Sequence, residues 1–196
     1  MASKELKFVR KNLNPIISHC HDDWNTLHTL TIIRNYDPQL LVHCINTEKY
    51  VRQILEHLGK TDEELCTAAL LHDIGKIYLS NSILFKPGKL DSVERTAVNM
   101  HSYYGYTYLK NKGFSERICE YVLYHHGRKN EWKDLVPAQS VELEYNTDIL
   151  RAADIYDAMT SDRPYRKATS RNIAFSVLEK ENIEENIISS LTCETA

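Results

Sequence analysis

Seven histidine and aspartate residues stand out in the sequence as candidates for metal chemistry. They lie on or at the ends of different predicted helices: His43, His72, Asp73, His101, His125, His126 and Asp154. Imidazole nitrogens and carboxylate oxygens together form a donor set that suits iron, manganese or zinc. Two such ions about 3.5–4 Å apart would hold a hydroxide between them and polarise a phosphoryl oxygen. The chemistry that this set indicates is therefore phosphoester hydrolysis.

Two pairs within this set are adjacent in the chain. Neighbouring residues on a helix diverge by about 100°, so His72 and Asp73 fit a helix end, where one side chain can face each of two metals. The two carboxylate oxygens of Asp73 could then bridge the ions. His125 and His126 precede Gly127, a residue typical of helix ends, so this pair could approach one ion from two sides.

Taken singly, each of these residues is weak evidence for a metal site. His43 lies near the apolar face of its predicted helix and could be an ordinary core or surface histidine. Asp154 sits in an apolar setting, where a buried carboxylate is costly without a partner, and it could form a salt bridge on a helix face. His125 and His126 could be solvated. The metal hypothesis therefore depends on the set as a whole.

The elements that must position these side chains are predicted to be helices. Apolar residues recur at helical spacing and alternating segments are nearly absent, which favours an all-α helical bundle with the metal site in its core. Helices are predicted over residues 39–58, from 61 through 71, and over 91–112, 115–126, 147–161 and 169–188. Loop or short turns are expected at 74–90, and an irregular segment is expected at 128–145.

Two capping boxes and one breaker mark the boundaries of these helices. Thr61-x-x-Glu64 and Asp91-x-x-Glu94 each predict a helix start. The Asp37-Pro38 step separates two parts of the chain. Residues 1–37 are predicted to be an N-terminal extension, with a short helix around Leu6–Ile17 and then a polar connection. Residues 38–196 are predicted to form one domain.

The composition excludes several classes of protein. A chain of 196 residues with 42% hydrophobic content can bury the core of one compact domain. A formal charge of −3 argues against binding to nucleic-acid polymers or to an anionic membrane. The five cysteines include no CxxC pair, so neither a disulfide framework nor a thiolate zinc site is expected. Without a signal peptide or an apolar span, the chain is expected in the cytoplasm.

Several segments in order along the chain resemble the HD-GYP branch of the HD superfamily. They are AALLHDIGKI, SILFKPGKL, HSYYGYTYL, the pair HH at 125 and 126, and ILRAADIYDAMTSDRPYRKATS. The similarity covers roughly residues 38–178. It implies an HD-type helical fold. It also implies the activity of that branch, whose members are bacterial phosphodiesterases that hydrolyse cyclic dinucleotides, chiefly cyclic di-GMP, with non-haem iron or manganese.

The resemblance also implies how the donors are divided between two divalent ions. One ion would be held by His43, His72, Asp73 and Asp154, and the other by Asp73, His101, His125 and His126. Iron or manganese is favoured, with zinc, nickel or magnesium as alternatives. Some relatives carry a glutamate where this chain has Gln39, and they bind a third metal there. The neutral amide is a poorer ligand, so two ions are expected here.

Four further residues are expected near the substrate. The resemblance implies that Lys76 faces the substrate phosphate and joins Asp73 as a catalytic residue; the alternative is a solvated loop lysine. Arg163 and Arg166, in SDRPYR, match positions that approach the phosphates, although Arg163 could instead hold its own turn. Asp157 could orient a nearby lysine or water, or it could form a structural salt bridge.

The chain departs from the family pattern after the histidine pair. It reads HHGRKNEWKDLVP where relatives read HHE and then DGxGYP, so the GYP motif is absent. None of the lost residues is an expected ligand, so the metal site should survive while the substrate changes. Three functions are therefore weighed: a cyclic-dinucleotide phosphodiesterase acting through a metal-bridging hydroxide, a phosphohydrolase of nucleotides or phosphomonoesters, and a catalytically silent nucleotide-sensing or scaffold domain. The amphipathic C-terminal end, with Ile183, Ile187 and Ile188 on one face, is expected to pack into the core or to form a homodimer contact.

Overall fold

The computed structural model describes residues 23–84, 86, 88–127, 141–162 and 167–192. Within these ranges the chain is built from helices and has no strand, which confirms the all-α prediction. The helices are α1 (Trp24–Tyr36), α2 (Pro38–His57), α3 (Glu63–Leu71), a 3₁₀ helix (Ile74–Tyr78), α4 (Asn81–Leu84), α5 (Ser92–Asn111), α6 (Glu116–Tyr124), α7 (Val141–Thr160), α8 (Arg171–Lys180) and α9 (Glu185–Ser190).

Helix α1 occupies a segment that the sequence predicted to be a polar connection, and that prediction is wrong. Leu27, Leu30 and Ile33 form a buried stripe that joins the hydrophobic core. The threonines that make this segment look polar form hydrogen bonds within the helix. The hydroxyls of Thr29 and Thr31 each donate to the main-chain carbonyl four residues before them. Local bonding of this kind lets polar side chains remain in a packed helix. The predicted helix at 6–17 lies outside the described residues.

Helix α2 begins at the Asp37-Pro38 step, where the sequence predicted a boundary. The Asp37 carboxylate accepts a hydrogen bond from the Gln39 main-chain N–H at 2.8 Å, and Pro38 occupies the first helical position. Asp37 is thus both the C-cap of α1 and the N-cap of α2. Helix α5 starts with the predicted capping box, in which Asp91 and Glu94 each accept from the other's main-chain N–H. Both predictions are confirmed.

The boundaries of α7 and of the C-terminal helices differ from their predictions. Helix α7 starts at Val141, inside a segment that was expected to be irregular. The predicted final helix over 169–188 is interrupted between α8 and α9, where Asn182 adopts a left-handed backbone with φ of 58°. Asparagine tolerates this conformation at a helix end. The turn lets Ile183 and Ile187 both reach the core, and burial of these side chains outweighs the local preference for a continuous helix.

Helix α3 is capped by Asp62 and not by Thr61, so the predicted capping box is displaced by one residue. Asp62 Oδ1 accepts from the Leu65 main-chain N–H at 2.9 Å. Its other oxygen accepts from the Tyr121 hydroxyl at 2.8 Å and from Asn146 Nδ2 at 3.0 Å. One carboxylate therefore joins α3, α6 and α7 at the end of the bundle.

Replacing Asp62 by alanine is expected to lower the free energy of unfolding by about 2–3 kcal/mol, because a helix cap and the partner of two other side chains are lost together. Chemical denaturation would measure the change. Asp23→Ala is the matched control, since the Asp23 side chain caps α1 through bonds to Thr26; its loss should cost about 1 kcal/mol. Equal losses in the two variants would contradict the assigned role of the Asp62 network.

No helix among the described ranges is both long enough and apolar enough to cross a bilayer.

Candidate metal centre

The structure brings all seven predicted donor residues together in the bundle. They form three overlapping groups, and within each group the donor atoms lie within 4.8 Å of one another. The groups are His43, His72 and Asp154; His72, Asp73 and His125; and His101, His125 and His126. The shared members His72 and His125 link the groups into one continuous cluster.

The two adjacent pairs lie at helix ends, as the sequence predicted. His72 is the C-cap residue of α3. The next residue, Asp73, has a φ of −98° and a ψ of 5° and so lies outside the helix. His125 and His126 form the turn after α6, and Gly127 takes a φ of +91° that lets the chain turn away. Both pairs can therefore aim neighbouring side chains at different parts of the cluster.

A close backbone contact places the 3₁₀ helix against α5. A Cβ atom on Gly75 would lie 1.9 Å from the His101 main-chain oxygen and 2.5 Å from the Gly105 nitrogen. Only a residue without a side chain fits there. This contact holds the segment that carries Asp73 directly beside the helix that carries His101.

The Asp73 carboxylate lies between the two sides of the cluster. Its Oδ1 is 3.3 Å from His101 Nε2. Its Oδ2 is 3.4 Å from His72 Nε2 and 3.7 Å from His43 Nε2. The two oxygens thus face different sets of histidines, which is the arrangement that a bridging carboxylate needs.

Main-chain carbonyls set the protonation of three histidine rings. His72, His101 and His125 each place Nδ1 at 2.6–2.8 Å from the carbonyl oxygen three residues earlier. Because a carbonyl can only accept, each Nδ1 carries the proton. In the neutral ring each Nε2 then presents a lone pair to the cluster, as a metal ligand must.

The lone pairs of His101 and His125 meet without a proton to share. His101 Nε2 lies 3.2 Å from His125 Nε2 and 3.1 Å from His126 Nε2. His72 Nε2 is buried, and the described residues offer it no hydrogen-bond partner. Crowded acceptors and an orphaned buried nitrogen are costly unless a cation joins them. The donors present therefore fit a divalent metal.

The charges of the buried groups suit a cation as well. Burial, together with the nearby rings of His126 and His72, holds the pKa of His125 well below its usual range, so this ring is neutral. Burial works against ionisation of Asp73, but the positive charge of adjacent Lys76 opposes it, and the pKa of Asp73 lies well below its usual range. His125 therefore offers a neutral imidazole, and Asp73 an ionised carboxylate, at neutral pH.

His43 differs from the other histidines in its surroundings. Its Nε2 lies 3.0 Å from Asp154 Oδ1, and its Nδ1 lies 2.6 Å from Asp157 Oδ2. Burial opposes protonation of the ring, but the hydrogen bonds to Asp154 and Asp157 outweigh burial and raise the pKa of His43 to about 9. This side of the cluster is thus strongly negative.

The side chains predicted to contact substrate fall into three cases. Lys76 Nζ lies 2.5 Å from Asp73 Oδ2 and its side chain is 19% exposed, so it is not a solvated loop lysine. Asp157 is buried against His43, as the salt-bridge alternative described, and this geometry does not favour a direct substrate contact. Arg163 and Arg166 lie outside the described residues, as does the substituted loop at 128–140.

Two hydrogen-bond partners of Asp157 were missed by sequence reasoning. Asn46 and Ser161 both donate to Asp157 Oδ1, at 2.9 Å and 2.7 Å. Ser161 stands four residues after Asp157, a spacing that predicts contact on a helix. Asn46 has no such signal toward Asp157, because its contact depends on how α2 crosses α7.

Known proteins share this chain's domain. Residues 40–159 match the HD domain family model. The 3'3'-cGAMP-specific phosphodiesterase 3 of Vibrio cholerae is 33% identical over 76% of this chain and 33% of its own length. The cyclic di-GMP phosphodiesterase response regulator RpfG of Xanthomonas campestris is 34% identical over 64% of the chain and 34% of its own length. A cyclic di-GMP phosphodiesterase of Thermotoga maritima is 33% identical over 65% of this chain and 36% of its own length.

The chain spans about a third of the length of each of these relatives. The matched residues include every one of the seven donors, and the HD-type domain predicted from the sequence is confirmed. This chain belongs to the HD domain family.

Proposed function

We propose that this chain is a metal-dependent phosphodiesterase that cleaves a cyclic dinucleotide such as cyclic di-GMP. The observation that carries the proposal is the convergence of seven donors on one centre, with the two Asp73 oxygens facing different histidines. The names of the relatives support the substrate class, since they are called cyclic di-GMP and 3'3'-cGAMP phosphodiesterases.

We assign one ion to His43, His72, Asp73 and Asp154 and the other to Asp73, His101, His125 and His126. Iron or manganese is our preferred identity, because mixed imidazole and carboxylate ligands suit both. Divalent ions bound there would supply Lewis acidity to a phosphoryl oxygen and would lower the pKa of water.

The protein's own residues would prepare the centre for an anionic substrate. Asp73 stays ionised although it is buried, and Lys76 provides the adjacent positive charge. A phosphodiester placed beside Asp73 would therefore meet the Lys76 ammonium, which can neutralise charge that develops on phosphate oxygens. Arg163 and Arg166 remain our candidates for further phosphate contacts.

The Lys76→Met variant tests this role. Methionine retains an unbranched apolar side chain and removes the charge, so turnover of cyclic di-GMP is expected to fall by about a hundredfold or more while bound metal persists. Steady-state kinetics and metal analysis on the same preparation would measure both. Lys86→Met is the control, because Lys86 pairs with Glu94 at the exposed start of α5. Unchanged turnover in Lys76→Met would remove Lys76 from the proposed machinery.

The function itself can be tested on purified protein. The chain would be prepared anaerobically with ferrous iron or manganese, its metal content measured, and its products separated by chromatography after incubation with cyclic di-GMP and 3'3'-cGAMP. Cleavage of either cyclic dinucleotide supports the proposal. Cleavage of mononucleotides or phosphomonoesters alone would favour a general phosphohydrolase, and tight nucleotide binding without turnover would favour a sensing or scaffold domain.

Several attributes of the whole protein stay predictions. They are the division into an extension at 1–37 and a domain at 38–196, a cytoplasmic location, the absence of polymeric nucleic-acid and membrane partners, and a homodimer. Helix α1 bears on the first of these, since its buried residues share the core with α2.

A further inference from the structure

The histidines of the centre are not all held in the same way. His72, His101 and His125 donate from Nδ1 to main-chain carbonyls. His43 instead has Nδ1 at 2.6 Å from the Asp157 carboxylate. A carbonyl carries a partial negative charge and a carboxylate carries a full one, so the bond to Asp157 is the stronger.

Asp157 is itself fixed in place. Its Oδ1 accepts from Asn46 Nδ2 at 2.9 Å and from Ser161 Oγ at 2.7 Å, which leaves Oδ2 directed at His43. The side chain is only 2% exposed. These contacts join α2, which carries His43 and Asn46, to α7, which carries Asp157, so the carboxylate cannot easily rotate away.

This arrangement determines which nitrogen of His43 faces the centre. An ionised carboxylate can only accept, so Nδ1 must carry a proton. The other nitrogen, Nε2, then points at Asp154 Oδ1, 3.0 Å away, and lies in the same donor group as His72. A hydrogen bond of this kind also makes a metal-binding imidazole more basic.

We propose that Asp157 is a positioning residue that fixes His43 with Nε2 turned to the metal, and that it strengthens metal binding only in the carboxylate half of the centre. The carboxylate half is the group His43, His72 and Asp154, and the histidine half is the group His101, His125 and His126. This inference rests on the proposed binuclear centre.

A merely structural role for Asp157 makes a different prediction. A clasp between α2 and α7 would stabilise the fold, and its loss would affect both halves of the centre or neither. The two roles separate when each half is titrated alone. His126→Ala disables the histidine half, and His43→Ala disables the carboxylate half and removes the donor that Asp157 contacts.

The test is a titration of Co²⁺ into metal-free protein under anaerobic conditions, followed by visible absorption. In the His126→Ala background, Asp157→Asn is expected to weaken Co²⁺ binding by about 10- to 100-fold. An asparagine amide can donate to Nδ1, which would move the ring proton to Nε2 and block the ligand. In the His43→Ala background the same substitution should leave Co²⁺ binding unchanged. Comparing the two backgrounds thus separates an effect on one half of the centre from an effect on both.

Asp148→Asn is the matched control, because it makes the same substitution on α7 at a residue paired with Arg151; Co²⁺ binding should stay unchanged in both backgrounds. If circular dichroism shows that Asp157→Asn does not fold, Asn46→Ala replaces it, since it removes one support of Asp157 and should cause a smaller loss confined to the carboxylate half.

Equal losses in both backgrounds, or none in either, would overturn the inference. Failure of the unaltered chain to take up Co²⁺ would overturn the proposed centre along with it. Normal uptake by the unaltered chain together with normal uptake by Asp157→Asn would defeat the inference alone.

Discussion

Replacing Asp73 by alanine is expected to remove both metal ions and to abolish hydrolysis. Asp73 contacts both sides of the cluster, through Oδ1 toward His101 and through Oδ2 toward His72. Loss of the metals removes several kcal/mol of transition-state stabilisation, which corresponds to a fall in kcat/KM of about a thousandfold or more. Metal analysis and steady-state kinetics on one preparation would measure both effects.

Two further variants make this result specific to the bridging position. Asp73→Asn keeps the volume of the side chain but has a single carbonyl oxygen, so it should lose metal as Asp73→Ala does. Asp62→Ala removes a carboxylate at the other end of α3 and should keep its metals despite lower stability. Retention of both ions by Asp73→Asn would rule out the bridging assignment.

Replacing Gly75 by alanine is expected to cause the largest loss of stability. The added methyl group would lie 1.9 Å from the His101 main-chain oxygen and 2.5 Å from the Gly105 nitrogen, and neither backbone atom can move without shifting α5. Forced overpacking of this kind costs about 3 kcal/mol or more. For a chain of this size, that cost lowers Tm by roughly 6–12 °C. Differential scanning calorimetry would measure the shift.

The expected damage from Gly75→Ala extends to the metal centre. Asp73 and His101 are held 3.3 Å apart across this contact, so separating the 3₁₀ helix from α5 should weaken metal binding as well. Gly105→Ala is the matched control on the opposite side of the contact. Its nearest neighbour would be the Val122 Cγ1 atom at 3.0 Å, which belongs to a side chain and can adjust. Comparable losses in the two variants would show that the backbone contact at Gly75 is not special.

Helix boundaries with a local cause were predictable. Asp37-Pro38 and the Asp91-Glu94 box mark helix starts through bonds within one turn of chain, and the structure has both. Helix boundaries that depend on partners distant in the chain could not be predicted in this way. Asp62 displaces Thr61 as the cap of α3 because it also accepts from Tyr121 and Asn146, which belong to other helices.

Burial of weakly amphipathic segments also needed the folded structure. Leu27, Leu30 and Ile33 are too interspersed with threonine and histidine for the sequence alone to indicate a core helix, and only the fold shows that they pack into the core. The break at Asn182 has a similar origin. A continuous helix satisfies the local pattern, but only a turned chain buries Ile183 and Ile187.

The sequence by itself determined the donor types of the candidate centre and the placement of its adjacent pairs at helix ends, because residue chemistry and helix termination are local properties. Only the tertiary structure decided that these donors converge, that each Asp73 oxygen faces its own set of histidines, and that Asp157 contacts His43. His43 and Asp157 are 114 residues apart. Their contact is set by the packing of α2 against α7, and the spacing of residues along one helix does not say which other helix it packs against or where the two cross.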